Sequence, residues 1–440
     1  MTSTYLTHAR VVLPDRVLED SAVLIEDGVI AAIAPDGAAA DREIDLRGLT
    51  LVPGLVDLHC DAIEKEAEPR SKVLFPLDFA VAQVDRRNAA AGITTPYHAL
   101  SFANSEWGVR NNDTAAQVVR SVRAFRQHSL VDNRVHCRYE VTDATSVPVL
   151  RQLMDEGAVD LLSVMDHSPG QGQFKTLESY LQYMIGNHAM SREQAEEAAH
   201  AKARAKDGAV QRVETLLAHA RDRGIPTASH DDDSIHRIAT MRNLGVAMSE
   251  FPITLDTARA AVSCGLPTIL GAPNVLRGKS QSGSMRAIDA IRAGVASCLC
   301  SDYQPSTLIA AAFAVTAQTD LTLPQAIALV TANPADACGL ADRGRIAVGQ
   351  RADLVAVAQV GALPLISHTW SAGRLVFSTH YAPARADARA RGRGRRPGGG
   401  LRKPPDLVAG QAGGTRIWLN GRTRTPPAGE RPVCLIFRSA

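Results

Sequence analysis

The 440-residue chain has no apolar run long enough to span a bilayer, and its start, MTSTYLTHAR, lacks the charged segment and apolar stretch of a secretory leader. A membrane-spanning or exported protein is therefore not expected, and the chain reads as soluble and cytoplasmic. Its seven cysteines (Cys60, Cys137, Cys264, Cys298, Cys300, Cys338, Cys434) are odd in number and scattered, which excludes a disulfide framework and fits a reducing compartment. Strong net charge is also missing, and a balance of +2 gives no reason to expect nucleic acid. What is present, 45% hydrophobic and 21% charged residues, is the composition of a globular protein. The length allows one core of barrel size with a smaller companion.

The small net charge conceals two unlike parts. From Tyr381 onward there are 13 Lys/Arg against 3 Asp/Glu, which leaves 35 basic and 43 acidic residues in the first 380. The body is acidic and the end basic. ARADARARGRGRRPGGGLRKPP has no hydrophobic period to build a core, so residues 380–440 are expected to form a disordered, low-complexity basic tail.

Residues 1–50 read as short strands separated by Asp, Gly and Pro, and Asp27-Gly28 marks a tight hairpin because type I′ turns need residues that tolerate positive φ. Residues 344–379 repeat the pattern in GRIAVGQRADLVAV and SAGRLVFS, so the two ends of the body are expected to pair into one small β domain. Between them, residues 51–343 alternate apolar runs with helical stretches. Strands are expected at 50–58, 93–100, 134–141, 159–165, 226–229, 245–250, 267–271 and 296–301, with helices such as 112–128 and 146–155. Eight strands with helical crossovers argue for an α/β fold, a TIM-like (β/α)8 barrel. The longest crossover, 169–224, carries a capping-box start at Ser191 and Gln194 and is long enough to make a lid.

The chemistry gathers where these strands end. LVDLHCD closes on His59 and Asp61, CRYE on Glu140, LLSVMDH on His167, PTASH on His230 and SCLCSD on Asp302. A barrel brings all six to its C-terminal mouth. One His or Asp at a strand end is ordinarily a structural hydrogen bonder; six in one chain point to a metal site. Imidazoles mixed with carboxylates suit zinc, iron or manganese, and Glu140 is placed to bridge two ions. After the seventh strand, GAPNVLRGKSQSG offers backbone N–H groups, the hydroxyls of Ser280 and Ser282 and the cations Arg277 and Lys279, as an anion cradle needs. Arg70 and Lys175 follow metal-site strands and are candidates to meet a polyphosphate from the other side, as is Lys65. Cys298 and Cys300 are expected to pack, and His98 and His136 to be satisfied inside the barrel.

PGLVDLH, the flanking β unit, the late Asp302 and GRIAVGQRADLV together resemble the amidohydrolase superfamily of metal-dependent hydrolases. More narrowly, LHCDAIEK, SVMDHSPGQGQF, GAPNVLRGKSQSGS and SDYQPSTL are similar to its phosphonate-pathway diphosphatases, over about residues 4–379. Ala62 stands where that pattern favours Asn, and RGKSQSGS where it favours a GGSHSGN-like loop. The resemblance implies His59, Asp61, His230 and Asp302 as metal ligands, joined by Glu140 and His167, with two divalent ions of which zinc fits best. It implies Asp302 as general base, and hydrolysis of a ribosyl triphosphate to the 5-phosphate and pyrophosphate. The expected partner is a small phosphorylated sugar, with a homodimer or association with other phosphonate-pathway proteins left open, and neither nucleic acid nor membrane. The rivals are an amidohydrolase acting on a C–N bond, which has no use for the cationic loop, and a non-catalytic scaffold, which has no use for six ligands.

The abrupt change in Arg, Gly and Pro content after residue 380 motivates the hypothesis that this end is a fusion or an altered reading frame. Limited proteolysis is then expected to remove it first and leave the body folded. A tail that resists cleavage, and whose removal lowers the melting temperature of the body, would contradict this.

Overall fold

The computed structural model describes residues 2–381, apart from 36, 71–72, 104–110, 173, 175, 189, 281 and 282. The expected tail lies outside the described residues. Five strands open the chain: β1 (Ser3–Val12), β2 (Val17–Glu26), β3 (Val29–Ile33), β4 (Arg42–Asp45) and β5 (Leu49–Pro53). Eight more follow: β6 (Leu55–Cys60), β7 (Ile93–Phe102), β8 (Arg134–Glu140), β9 (Leu161–Met165), β10 (Thr227–His230), β11 (Met248–Glu250), β12 (Thr268–Gly271) and β13 (Cys298–Cys300). The last three are β14 (Leu354–Val360), β15 (Leu363–Ser371) and β16 (Arg374–Ser378).

Strands β6 to β13 pair in chain order, all parallel, with helices between them. Asp302 N–H donates to His59 O (2.9 Å) and Asp61 N–H to Asp302 O (2.7 Å), so the last strand meets the first and the barrel is nearly closed. Strands covered on both faces must be apolar throughout, and every residue of β7 is buried. Inside, Leu58, Tyr97, Met248 and Ile269 pack with Cys298 and Cys300. Burial pushes both thiols well above their ordinary pKa, so these cysteines are core, as expected. Outside, Phe102, Tyr139 and Val164 meet Leu150, Val213 and Leu216 of the crossover helices.

The other strands make a second sheet in the order β16-β15-β14-β5-β1-β2-β3, with β4 beside β1. Both ends of the body contribute, and its hairpin turns at Asp27 and Gly28 with φ of 48° and 85°. The expected strand over 50–58 proves to be two, divided at Gly54. Its first half, β5, pairs with β1 and β14, and only β6 enters the barrel. Residues 344–353, expected to form strand, are bends, a turn and irregular chain with a single bridge at Arg351, and the strand begins at Leu354. Sequence reading missed β15, because Pro364 and His368 interrupt its apolar run; ladders from β14 and β16 supply its order instead. The long crossover holds helices Leu177–His188, Arg192–Ala205 and Ala209–Arg221, and Ser191 and Gln194 do form the capping box. No helix among the described residues is long and apolar enough to cross a membrane.

Gly54 has no room for a side chain. A Cβ there would lie 2.7 Å from Thr94 Cγ2 and 2.9 Å from Asp353 Cβ, while its N–H donates to Asp353 O at 2.7 Å. Gly54→Ala is expected to lower unfolding free energy by about 1–3 kcal/mol through overpacking. The readout is a lower urea midpoint at unchanged slope; an unmoved midpoint would show that the junction yields.

Candidate metal centre

Three strands that carry site residues end with the same backbone device. Asp231 and Phe251, just past β10 and β11, and Asp302, two residues past β13, have φ of 55°, 53° and 54°. Left-handed backbone is costly for non-glycine residues and concentrates at functional sites. Each of the three donates its N–H sideways to the next strand, to Glu250 O, Ile269 O and His59 O. These bonds hold the chain in place as it turns out of the barrel. His59 has a different device. The β6–β7 register shifts between Asp57 and Cys60, so Leu58 packs inside the barrel and His59, the next residue, also faces the site.

Glu250, fully buried at the end of β11, lies between two imidazoles. His59 Nδ1 is 2.6 Å from one carboxylate oxygen and His230 Nδ1 2.7 Å from the other. Burial raises the Glu250 pKa, but the charges and hydrogen bonds of the histidines outweigh it and hold the carboxyl well below its usual range. A carboxylate can only accept, so both Nδ1 atoms carry the protons, which leaves Nε2 of each ring for other work. Burial lowers the His59 pKa, but Glu250 overrides that and the net shift is upward. For His230 burial prevails and the shift is downward.

Two groups of donors have atoms within 4.8 Å of one another: His59, His230 and Glu250, and His167, His230 and Asp231. Imidazoles and carboxylates at this spacing suit a divalent ion of the zinc, iron or manganese type. Of the expected ligands, His59, His167 and His230 fall in these groups. Glu140 is fully buried, with Oε2 3.5 Å from His167 Nδ1 and 3.8 Å from Lys202 Nζ, and with the Thr142 hydroxyl donating to Oε1. Asp61 and Asp302 face each other across the closure of the barrel, where burial and the neighbouring charge of Asp61 raise the Asp302 pKa. Asp57 receives Ser301 N–H, Ser301 O–H and His59 N–H, and so ties the first strand to the last beneath the ligands.

His136 is a satisfied interior histidine, as expected; His98 is buried as well, but its Nδ1 has no partner among the described residues. His98 Nε2 is 2.9 Å from Asn133 Oδ1, and burial lowers its pKa to about 4. His136 meets Leu58 O and Ser163 Oγ, and burial takes it to about 3.

The expected anion contacts are spread around the mouth. Arg277 ends a short helix, Ala272–Arg277, and its Nη1 lies 3.4 Å from the hydroxyl of Tyr303, the residue after Asp302. Lys65 Nζ stands 5.1 Å above the Tyr303 ring. Lys279 is exposed, Ser280 half-buried, and Arg70 exposed in a turn with Val73. Lys175 and Ser282 lie outside the described residues.

Sequence reading left out four residues that the structure places at the site. Glu250 carried the same signal as the six chosen, a carboxylate ending an apolar strand. Asp231 opens a run of three aspartates, a composition that by itself suits a solvated loop, yet it faces His167 and His230 at 3.8 Å. Its neighbour Asp232 is buried against Ser229, Ser249 and Arg237. Arg138 precedes Glu140 by two on β8 and so shares its face. Lys202 comes from the long crossover, where nothing in a charged helix marks one lysine as buried.

Residues 50–376 match the amidohydrolase family model, and the chain belongs to that family of metal-dependent hydrolases. Within it, the chain is 34% identical over 377 residues to the alpha-D-ribose 1-methylphosphonate 5-triphosphate diphosphatase of Escherichia coli (strain K12), covering 84% of this chain and 100% of that protein. It is also 26% identical over 367 residues to the imidazolonepropionase of Deinococcus radiodurans, covering 77% of this chain and 86% of that one. Among solved structures, N-isopropylammelide isopropylaminohydrolase from Burkholderia multivorans shares the fold, with a TM-score of 0.57 at 17% identity over 85% of this chain and 98% of that one.

Glutamine at 250 can accept at one atom only, so one imidazole must lose its partner. Glu250→Gln is expected to weaken metal retention about 10- to 100-fold, measured by elemental analysis after dialysis against graded chelator. Retention equal to the unaltered protein would remove Glu250 from the centre.

Proposed function

We propose that the chain hydrolyses α-D-ribose 1-methylphosphonate 5-triphosphate to the 5-phosphate and pyrophosphate, as a cytoplasmic enzyme of phosphonate catabolism. The observation that carries this is the identity to the Escherichia coli diphosphatase along that protein's whole length. The buried donor groups at the barrel mouth support it. His59, Asp61, Glu140, His167, His230 and Asp302 would hold two divalent ions, with zinc the best fit; Asp231 stands close enough to join them, and Glu250 orients His59 and His230 through their Nδ1 protons.

A bound divalent ion supplies Lewis acidity, which acidifies water and neutralises phosphoryl oxygens. The chain's own residues do the rest. Asp302 takes the proton of the attacking water. The water oxygen bonds to phosphorus, the bond between the α- and β-phosphoryl groups breaks, and the electron pair departs with pyrophosphate. Arg277, Lys279, Ser280, Ser282, Arg70 and Lys175 stabilise the charge that builds on it. Tyr303 holds Lys65 and Arg277 next to Asp302.

The second reading, hydrolysis of a C–N bond, is favoured by the imidazolonepropionase likeness. A neutral ring gives the cations of the mouth no role.

The metal-loaded protein is expected to release pyrophosphate from ribose 5-triphosphate esters, followed by phosphorus NMR. Orthophosphate alone, or ring opening of dihydropyrimidines instead, would overturn the proposal. Asp302→Asn is expected to cut kcat by about 100-fold or more, as for loss of a general base; full turnover would remove Asp302 from that role.

A further inference from the structure

Strand β8 sends three side chains inward: His136 in the core, Glu140 at the mouth and Arg138 between them. Arg138 is 6% exposed. Its only hydrogen-bond-range contact among the described residues runs from Nη2 to His230 Nε2, at 3.4 Å, and its Nε has no partner among them. A guanidinium is charged at every working pH, and a buried cation left without an acceptor is costly. Its charge is felt by His59, His230 and Asp302, so it sits within electrostatic reach of the proposed metal ligands.

A second buried group lacks a partner at the same level. Ser101 of β7 is in register with Arg138 and therefore on the same face. It is 1% exposed, and its hydroxyl has no partner among the described residues. A guanidinium and a hydroxyl in register on one face of adjacent strands, both buried, make donors for an anion. The histidine contact adds a reason for their position. Because Glu250 takes the Nδ1 proton of His230, Nε2 offers a lone pair to Arg138. An ion held by His230 uses that lone pair, and the arginine donor then needs another acceptor. A structural arginine would be paired with a carboxylate, as Arg343 is with Asp132 at 2.7 Å elsewhere in the chain.

Resting on the phosphoanhydride reading above, we infer that Arg138 and Ser101 bind a non-bridging oxygen of the phosphoryl group under attack. Arg138 is then a catalytic residue that touches substrate, and it adds a fixed positive charge where the transition state gathers negative charge. It also sets the chemical class of the substrate, because a neutral amide carbon brings no oxyanion for a buried guanidinium before reaction.

The test uses the full chain, metal-loaded, with ribose 5-phosphate, the product half that keeps the attacked phosphoryl group, as the binding probe in calorimetry and triphosphate ester turnover as the second readout. Arg138→Met is expected to keep its metal content, bind ribose 5-phosphate at least tenfold more weakly and lose at least a hundredfold in kcat. Ser101→Ala is expected to lose about tenfold in kcat. Millimolar guanidinium chloride is expected to restore part of the turnover of Arg138→Ala and leave the unaltered protein unchanged, an effect that a scaffold role does not produce. If neither truncated variant folds, Arg138→Lys keeps the charge without the fork and is expected to bind ribose 5-phosphate at least tenfold more weakly. Unaltered ribose 5-phosphate affinity in Arg138→Met or Arg138→Lys overturns the inference, as does loss of turnover with no rescue. If the unaltered protein binds ribose 5-phosphate but cleaves no triphosphate ester, the proposed function fails, and the affinities still decide the role of Arg138 as an anion ligand.

Discussion

One carboxylate that accepts from two imidazoles is the constraint on which the site depends. Glu250 stands on the sixth barrel strand, while His59 and His230 come from the first and fifth, and both reach it at under 2.8 Å. Three strands are thereby tied at their tips. An unpaired buried carboxylate costs several kcal/mol, and here the cost is offset only when both rings are in place. The same arrangement fixes both tautomers, so ligand orientation is settled by hydrogen bonding before any ion arrives.

The rest of the mouth depends on backbone that leaves the barrel abruptly. Asp231, Phe251 and Asp302 adopt left-handed conformations, and each is held by a bond to the adjacent strand. Without that turn, a residue following the strand would continue along it and point its side chain to the outer layer. The long crossover closes over this rim. Gly172 N–H donates to Asp233, Lys206 pairs with Asp166 at 3.1 Å, and Lys202 reaches Glu140. The insertion is therefore held to the site by charge, and Phe174 packs edge-on against His167.

The barrel was legible because eight apolar runs alternating with helical stretches leave few other arrangements. Six strand-end candidates were legible for the same reason, of which His59, His167 and His230 fall in the donor groups, and Glu250 could have joined them, since the expected strand over 245–250 already ended on it. Asp231 was obscured by its neighbours: three consecutive aspartates read as a solvated turn, and only the fold separates Asp231 at the site from Asp232 beneath it. Arg138 was hidden because arginine within a strand normally marks an edge or a surface. Lys202 gave no local signal, since its burial depends on how a helix docks some 60 residues after Glu140 in the chain. The division at Gly54 was missed because apolar residues continue on both sides of it, Leu51-Val52 before and Leu55-Val56 after, and composition does not show where one sheet hands over to another.

That handover affects how the molecule assembles. The chain enters the barrel at Gly54 and leaves it shortly before Leu354, and Val52 pairs with Val355, so the seam of the outer sheet joins segments from opposite ends of the body. Such a seam cannot close until the eight intervening strands have brought its halves together. Distant pairing of this kind slows folding. While the C-terminal strands emerge from the ribosome, β5 and β1 have already been made and expose an unpaired edge. The nascent chain is therefore most open to misassociation in its last stretch of synthesis, when the barrel is complete in sequence but its outer sheet is not.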